Sequence, residues 1–214
     1  MIIAIDGPAG SGKSSAARLL AERLDLPYLN SGLLFRALAW VCLECNVDIN
    51  DSLACAEVTR QLILEIPDHE RVVVSYGSIK SQHLANELRS QAVDEAVHVI
   101  ASLPDVRREI RILQRTIAKA QGGVVEGRTI GIHVFPDADV KFWLMADADV
   151  RLARVASQRG AETASIMMAR DEHDATRKHE PMLPANDAIH VDSSTINLEE
   201  VVEHMIKHIK KEIV

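Results

Sequence analysis

The sequence predicts an α/β fold in which a parallel β-sheet is wrapped by helices. Short apolar runs, typical of buried strands, alternate along the chain with longer segments of helical periodicity. The first run, residues 2–5, is followed at once by a glycine-rich segment of the form G-x-x-x-x-G-K-[ST] at residues 7–14. Such a segment joins a parallel strand to the helix after it, so both observations indicate the same architecture.

Five apolar runs are candidate core strands, and in chain order they are residues 2–5, 28–29, 123–125, 140–144 and 189–191. The clearest helix is the last one. Its apolar positions, Leu198, Val201, Val202, Met205, Ile206 and Ile209, share one face that we expect in the core. Asn197 is the predicted N-cap, and Glu200 follows three residues later as in a capping box.

A second kind of structure interrupts this pattern. Residues 62–66 and 71–76 are rich in β-branched residues and are joined by a turn-like segment, residues 67–70. We interpret them as a hairpin inserted into the α/β core. The whole chain, residues 1–214, is otherwise interpreted as one domain, since 214 residues suffice for a single large core.

Composition excludes several classes of function. The net charge of −7 argues against broad binding of nucleic acid or anionic membranes. No apolar run approaches the length of a membrane span, and we expect a cytoplasmic protein, most simply a monomer. Cys42, Cys45 and Cys55 have no nearby histidine to complete a zinc site, so we expect buried thiols.

The glycine-rich segment carries the chemistry of phosphate binding. Its glycines allow backbone amides to turn towards phosphate oxygens, and the helix that opens near Lys13 presents its positive end to them. Lys13 is predicted to reach the β- and γ-phosphates of a nucleotide, and Ser14 to hold Mg²⁺. The predicted nucleotide-binding residues are Gly7, Pro8, Ala9, Gly10, Ser11, Gly12, Lys13, Ser14 and Ser15.

Arginines then distinguish phosphoryl transfer from other uses of a phosphate loop. A transferring phosphoryl group is stabilised mainly by positioned positive charge. Candidates lie in four separate places: Arg36, Arg107, Arg128 and the cluster at residues 170–177. Together with the phosphate loop, they favour a kinase.

These segments, in this order, resemble bacterial cytidylate kinases over nearly the whole chain. The segments that carry the resemblance are residues 3–14, 28–32 with Arg36, 103–107, 125–128, 134–137, 170–177 and 184–189. The resemblance implies a P-loop nucleoside monophosphate kinase that transfers the γ-phosphate of ATP, with Mg²⁺, to CMP or dCMP. It also implies a β-rich monophosphate-binding insert at about residues 62–93 and a short helical lid at about residues 151–172.

Residue roles follow from the same resemblance. It implies that the acceptor phosphate and the transferring group are surrounded by Ser31, Arg36, Arg128, Arg170 and Arg177, of which the last three act in catalysis together with Lys13. Asp174 matches a carboxylate that receives ribose hydroxyls, and Arg107 a residue near the base. Glu126 is expected to orient Mg²⁺ through water. Arg151, Arg154 and Arg159 fall in or beside the lid, whose closure would exclude water.

Two positions depart from the family pattern where the base is read. Thr129 stands where the family has an aspartate, and His98 where it has a serine. A threonine hydroxyl carries no charge and cannot replace the paired acceptance of a carboxylate. The alternative prediction is therefore a related kinase whose acceptor is another or a modified nucleoside monophosphate, with Thr129 and His98 at its base.

Two further classes fit less well. A kinase for a non-phosphorylated alcohol would need a general base, and the arginine set instead suits an acceptor that is already a phosphate. A switch protein that hydrolyses nucleotide slowly would need a base-reading motif, and Asn-Lys-x-Asp does not occur.

Overall fold

The computed structural model describes residues 1–68, 71–119 and 122–212. The chain forms strands β1 (Ile2–Asp6), β2 (Tyr28–Asn30), β3 (Ile63–Glu65), β4 (Val72–Tyr76), β5 (Ile79–Leu84), β6 (Gly123–Gly127), β7 (Val140–Met145) and β8 (Ile189–Asp192). Its α-helices are α1 (Lys13–Leu24), α2 (Ser31–Glu44), α3 (Ser52–Gln61), α4 (Gln91–Ile100), α5 (Pro104–Lys119), α6 (Ala148–Arg159), α7 (Ala161–Thr176) and α8 (Leu198–Glu212). A 3₁₀ turn spans Glu87–Arg89, and a single π-helical turn spans Ile130–Val134.

The chain divides into two compact units. The first contains residues 1–29 and 118–214, and the second contains residues 30–117.

A sheet of strand order β2-β6-β1-β7-β8 organises the first unit. Strand β1 pairs in parallel with both β6 and β7, and β7 pairs in parallel with β8. All five predicted core strands are confirmed, each within two residues of its expected ends. The central strands are buried on both faces, which explains why they are continuous apolar runs without alternation. Because β1 and β6 are parallel neighbours, the segments after them leave the sheet at the same edge.

Helix α8 covers this core with the predicted apolar face. Val201, Val202, Met205 and Ile209 are buried, whereas Leu198, in the first turn, is 40% exposed. The Asn197 side chain accepts a hydrogen bond from the Glu200 amide at 3.0 Å, and Glu200 accepts from the Asn197 amide at 2.8 Å. The predicted capping box is thus confirmed.

In the second unit, β3, β4 and β5 form an antiparallel sheet. The predicted hairpin is confirmed as β3 and β4, which pair from Ile63 with Ser75 to Glu65 with Val73. His69 and Glu70, in the predicted turn, lie outside the described residues. Strand β5 was not predicted, because its residues are mostly polar and exposed and lack a buried alternation.

Two of the three cysteines are buried in the second unit, as predicted. Cys42 and Cys55 have their Sγ atoms 4.0 Å apart. The prediction was wrong for Cys45, which is exposed. It is the C-cap residue of α2, so it follows the last helical turn and has left the face that packs on the core. Among the helices of the described ranges, none has the combination of length and apolar character needed to cross a bilayer.

Candidate active site

The glycine-rich segment forms a tight loop between β1 and α1. Gly7 has φ of 149°, and a Cβ there would lie 2.0 Å from the Leu144 carbonyl oxygen. Gly10 has φ of 74°, and a Cβ there would lie 2.6 Å from the Arg151 carbonyl oxygen. Only glycine combines these backbone angles with so close an approach of neighbouring main chain. The loop conformation therefore depends on both residues.

Helix α1 begins at Lys13 with an exposed positive end. Gly12 is its N-cap residue and supplies no capping side chain, and the first turn contains no acidic residue. The amides of a first helical turn have no partner within the helix, and the helix dipole adds positive potential there. These are the general properties of an anion-binding site.

Lys13 is half-buried beside the loop. Its Nζ donates to the Pro8 carbonyl oxygen at 2.6 Å, and the Ser11 hydroxyl donates to the same oxygen at 2.9 Å. Burial lowers the pKa of the Lys13 ammonium from 10.5 to about 8, and the nearby Glu126 carboxylate partly offsets that effect. The lysine is thus partly desolvated before any phosphate is bound.

Ser14 and Glu126, the two residues predicted to serve Mg²⁺, are in direct contact. The Ser14 hydroxyl donates to Glu126 Oε1 at 2.7 Å, and the Tyr28 hydroxyl donates to the same oxygen at 3.0 Å. Glu126 is the penultimate residue of β6 and is only 4% exposed. A hydroxyl and a carboxylate are the hard oxygen donors that Mg²⁺ prefers, and it usually keeps several waters. The donor set therefore fits the metal.

Asp6 lies at the end of β1, next to β6 in the sheet. Its carboxylate accepts hydrogen bonds from the amides of Ile130 and Gly131, both at 2.7 Å. Burial raises the pKa of the Asp6 carboxyl to about 6, against the lowering effect of these two donors. Thr129, immediately before the π-helical turn, is buried. Asp6 thus holds the segment that carries Thr129.

Three of the predicted arginines converge on two carboxylates of α7. Arg128 Nη1 lies 2.5 Å from Asp171 Oδ1 and 3.0 Å from Asp174 Oδ2. Asp174 also pairs with Arg177 at 3.1 Å and with Arg170 at 3.8 Å. Both carboxylates are buried. The arrangement concentrates cationic groups at one place, with two carboxylates holding them together.

The phosphate loop is also contacted by α6 and by Ser193, the residue after β8. Arg151 Nη1 donates to the Ala9 carbonyl oxygen at 3.1 Å and to Asp171 Oδ2 at 2.7 Å. Arg154 donates to the Ser193 hydroxyl at 2.9 Å, and that hydroxyl donates to the Ser11 carbonyl oxygen at 2.9 Å. Of the predicted lid arginines, these two contact the loop directly, whereas Arg159 contacts the sulfur of Met167 on α7.

The remaining predicted site residues belong to the second unit. Ser31 is the first residue of α2 and is buried. Arg36 donates to the Leu88 carbonyl oxygen and forms an ion pair of 2.6 Å with Asp94. Arg107, buried on α5, donates to the Ala101 carbonyl oxygen at 3.0 Å.

His98, the other position that departs from the family pattern, is an exposed residue of α4.

Comparison with known proteins decides the family. The sequence matches the family described as "Cytidylate kinase" over residues 3–211. The chain belongs to the cytidylate kinase family. A cytidylate kinase of Streptomyces avermitilis is 37% identical over 96% of this chain and 91% of its own length. One of Bdellovibrio bacteriovorus is 35% identical over 100% of this chain and 99% of its own length.

The same fold occurs in crystal structures of lower sequence similarity. A Thermus thermophilus protein, TT1252, superposes with a TM-score of 0.53 at 17% identity, covering 100% of this chain and 98% of its own. An uncharacterised Eubacterium ventriosum protein gives 0.52 at 15% identity, with 98% of each chain covered. These structural similarities support the α/β fold of this chain.

Sequence reasoning missed three buried polar residues of this cytidylate kinase family site: Asp6, Asp171 and Ser193. Asp6 could have been found from the sequence. It is a carboxylate at the end of a predicted strand and directly before the phosphate loop, so it lies at the sheet edge where the loop begins. Asp171 adjoins Arg170 in a cluster that the sequence analysis did single out. Ser193 carried none, because its partners Ser11 and Arg154 are distant in the chain.

Proposed function

We propose that this chain transfers the γ-phosphate of ATP to CMP or dCMP, giving ADP and CDP or dCDP. The observation that carries the proposal is the convergence of Arg128, Arg170 and Arg177 on α7, in the same unit as the phosphate loop and Glu126. An acceptor that is already a phosphate needs such charge. A nucleotide hydrolase typically uses one arginine beside the γ-phosphate, so a set of three favours a second phosphate as acceptor.

The loop and Lys13 would bind the β- and γ-phosphates. Loop amides and the first turn of α1 donate to phosphate oxygens, and the Lys13 ammonium leaves the Pro8 carbonyl for them. Because Lys13 is already partly desolvated, its interaction with phosphate is weakened less by competing water than that of an exposed lysine. The residues that we propose for ATP are those of the loop, from Gly7 to Ser15.

Ser14 and Glu126 would serve Mg²⁺, Ser14 directly and Glu126 through water. Bound with ATP, the metal supplies charge that neutralises the phosphate oxygens and orients them. The chain's own contribution is to hold these two oxygen donors 2.7 Å apart, with Tyr28 fixing the carboxylate.

The arginines would bind the acceptor and the transferring group. Arg128, Arg170 and Arg177 offer forked donors to phosphate oxygens, and we propose Ser31 and Arg36 as further ligands of the acceptor phosphate. Phosphate monoesters have a second pKa of about 6, so the acceptor is largely a dianion at neutral pH and requires no general base.

Asp174 is proposed to receive the ribose hydroxyls. Its Oδ2 atom is buried and, within the described part of the chain, accepts no hydrogen bond of good geometry despite its ion pairs. An acceptor with unused capacity suits a hydroxyl donor. Arg107 and Thr129 are proposed to lie at the base. Nothing in the site favours a shifted acceptor over CMP, although His98 and Thr129 remain the positions where such a shift would arise.

The proposal also covers the organisation of the chain, its oligomeric state and its location. Residues 1–214 act as one kinase domain, with residues 62–93 as the monophosphate-binding insert. Residues 151–172, on α6 and α7, act as the lid, since two of their arginines reach the loop. We also propose a monomer that acts in the cytoplasm, where its nucleotide substrates are present.

The direct test is ADP release from ATP and Mg²⁺ with CMP, dCMP, UMP, AMP or GMP as acceptor, beside a reaction without acceptor. We expect kcat/KM to be highest for CMP or dCMP. Preference for another monophosphate would support the shifted-acceptor alternative. Equal turnover without acceptor would overturn the kinase assignment.

A further inference from the structure

Asp171 is not among the residues proposed above to bind substrate, but it contacts the phosphate loop and two arginines. Both of its carboxylate oxygens are used within the first unit. Oδ1 accepts from Arg128 at 2.5 Å, and Oδ2 accepts from the Ala9 amide at 2.9 Å and from Arg151 at 2.7 Å. The residue is 5% exposed. One side chain of α7 therefore joins the phosphate loop, the end of β6 and α6.

The contacts at Ala9 fix the two peptide units on either side of its Cα atom. Asp171 accepts from the Ala9 amide, while Arg151 donates to the Ala9 carbonyl oxygen at 3.1 Å. Rotation of either peptide unit would break one of these hydrogen bonds. The direction of the amides determines whether a phosphate loop binds anions, so its geometry here depends on a residue 162 positions away.

The charges also require Asp171. Arg128 and Arg151 donate to the same buried carboxylate, and two guanidinium groups this close repel each other unless an anion lies between them. Asp174 performs part of the same task for Arg128, Arg170 and Arg177. Within the described residues, Asp174 makes no hydrogen bond or ion pair with the phosphate loop. Of the two carboxylates, Asp171 is therefore the one that contacts Ala9.

We propose that Asp171 is a positioning residue of the phosphoryl-transfer reaction, which holds the Ala9 amide and the side chains of Arg128 and Arg151 in the positions that the reaction requires. It acts through these groups, since its own oxygens are occupied by them. The inference rests on the proposed function, because Arg128 matters only if a phosphoryl group is transferred. A misplacement of about 1 Å at such a site can cost on the order of 10²-fold in rate.

The test compares Asp171→Asn with Glu44→Gln. Both changes replace a carboxylate by an isosteric amide, but Glu44 is an exposed residue at the end of α2, outside the phosphate loop and the proposed lid. For Asp171→Asn we expect kcat with ATP and CMP to fall by about 10²-fold. We expect either KM to change by less than about tenfold, because base and ribose contacts remain. Glu44→Gln should retain the wild-type kcat. All rates are measured well below the Tm of each variant, so that loss of folded protein does not contribute.

A rescue experiment separates positioning from general stability. Asp171→Ala leaves a space beside two arginines that formate fits as a small carboxylate. We expect sodium formate to raise the kcat of this variant at least tenfold, whereas sodium chloride at equal ionic strength should not. Asp171→Glu retains the charge but displaces it by one methylene group, and should lower kcat at least tenfold even if the neutral variants do not fold.

Three results would overturn the proposal: a kcat for Asp171→Asn within twofold of the wild type, a rise in kcat, or a wild-type kcat in Asp171→Glu. Calorimetric titration with ADP keeps this test distinct from the proposed function. If the wild type does not phosphorylate CMP, the proposed function fails, but a loss of ADP affinity in Asp171→Asn relative to Glu44→Gln would still support the positioning of the loop. Equal ADP affinity would then overturn it.

Discussion

Raising the pH above neutrality should weaken nucleotide binding through the deprotonation of Lys13. The pKa of this ammonium is lowered to about 8 by burial, so the free enzyme loses the charge between about pH 7 and pH 9. A phosphate binds the ammonium and gains little from the neutral amine. The direction is therefore a loss of affinity as pH rises through about 8.

The magnitude follows from the protonated fraction. With a pKa of about 8, about 90% of the enzyme carries the charge at pH 7 and about 3% at pH 9.5. If the neutral amine contributes nothing, ADP affinity falls about 30-fold over this range, equivalent to about 2 kcal/mol. With the ordinary pKa of 10.5, the same range would change affinity by only about 10%.

Isothermal titration with ADP in the presence of EDTA measures this dependence without a contribution from Mg²⁺. Lys13→Arg is the matched control, since arginine keeps its charge throughout the range. Its ADP affinity should be independent of pH, whatever its absolute value. A wild-type change below threefold between pH 7 and pH 9.5, or the same decline in Lys13→Arg, would refute the argument.

Four other variants test separate parts of the site and the fold. Lys13→Met should reduce kcat by about 10³-fold or more, while the Tm at pH 7 stays at or above the wild-type value because a desolvated charge is removed; a lower Tm would contradict this. Thr129→Asp should raise the ratio of kcat/KM for CMP over UMP at least tenfold, by adding the carboxylate that the family has there; an unchanged ratio would show that the base is read elsewhere. Ser193→Ala should destabilise by about 1–3 kcal/mol in urea unfolding and raise the KM for ATP, whereas Ser157→Ala, at an exposed serine of α6, should do neither. Asn197→Ala should lower the free energy of unfolding by about 1 kcal/mol with kcat unchanged, and a change in kcat would be unexpected.

The local sequence was sufficient to predict those structural elements whose pattern or hydrogen bonds span only a few residues. The five core strands were predicted from continuous apolar runs, because burial on both faces removes polar residues from the strand itself. The capping box at Asn197 was predicted because both of its hydrogen bonds span three residues. Strand β5 was missed because its polar, exposed residues carry no period that distinguishes a strand from a loop.

The sequence by itself determined the phosphate loop, the helix that follows it and the residue types available for phosphoryl transfer, since these depend on glycine conformation and on chemistry carried by adjacent positions. Only the tertiary structure decided which buried polar groups hold them. Asp171 reaches Ala9 across 162 residues, and Asp6 reaches Ile130 across 124. Lys13 became desolvated only through the packing around it. Such contacts and pKa shifts depend on which parallel strands are neighbours and which helices cover them, and no local pattern in the chain specifies that arrangement.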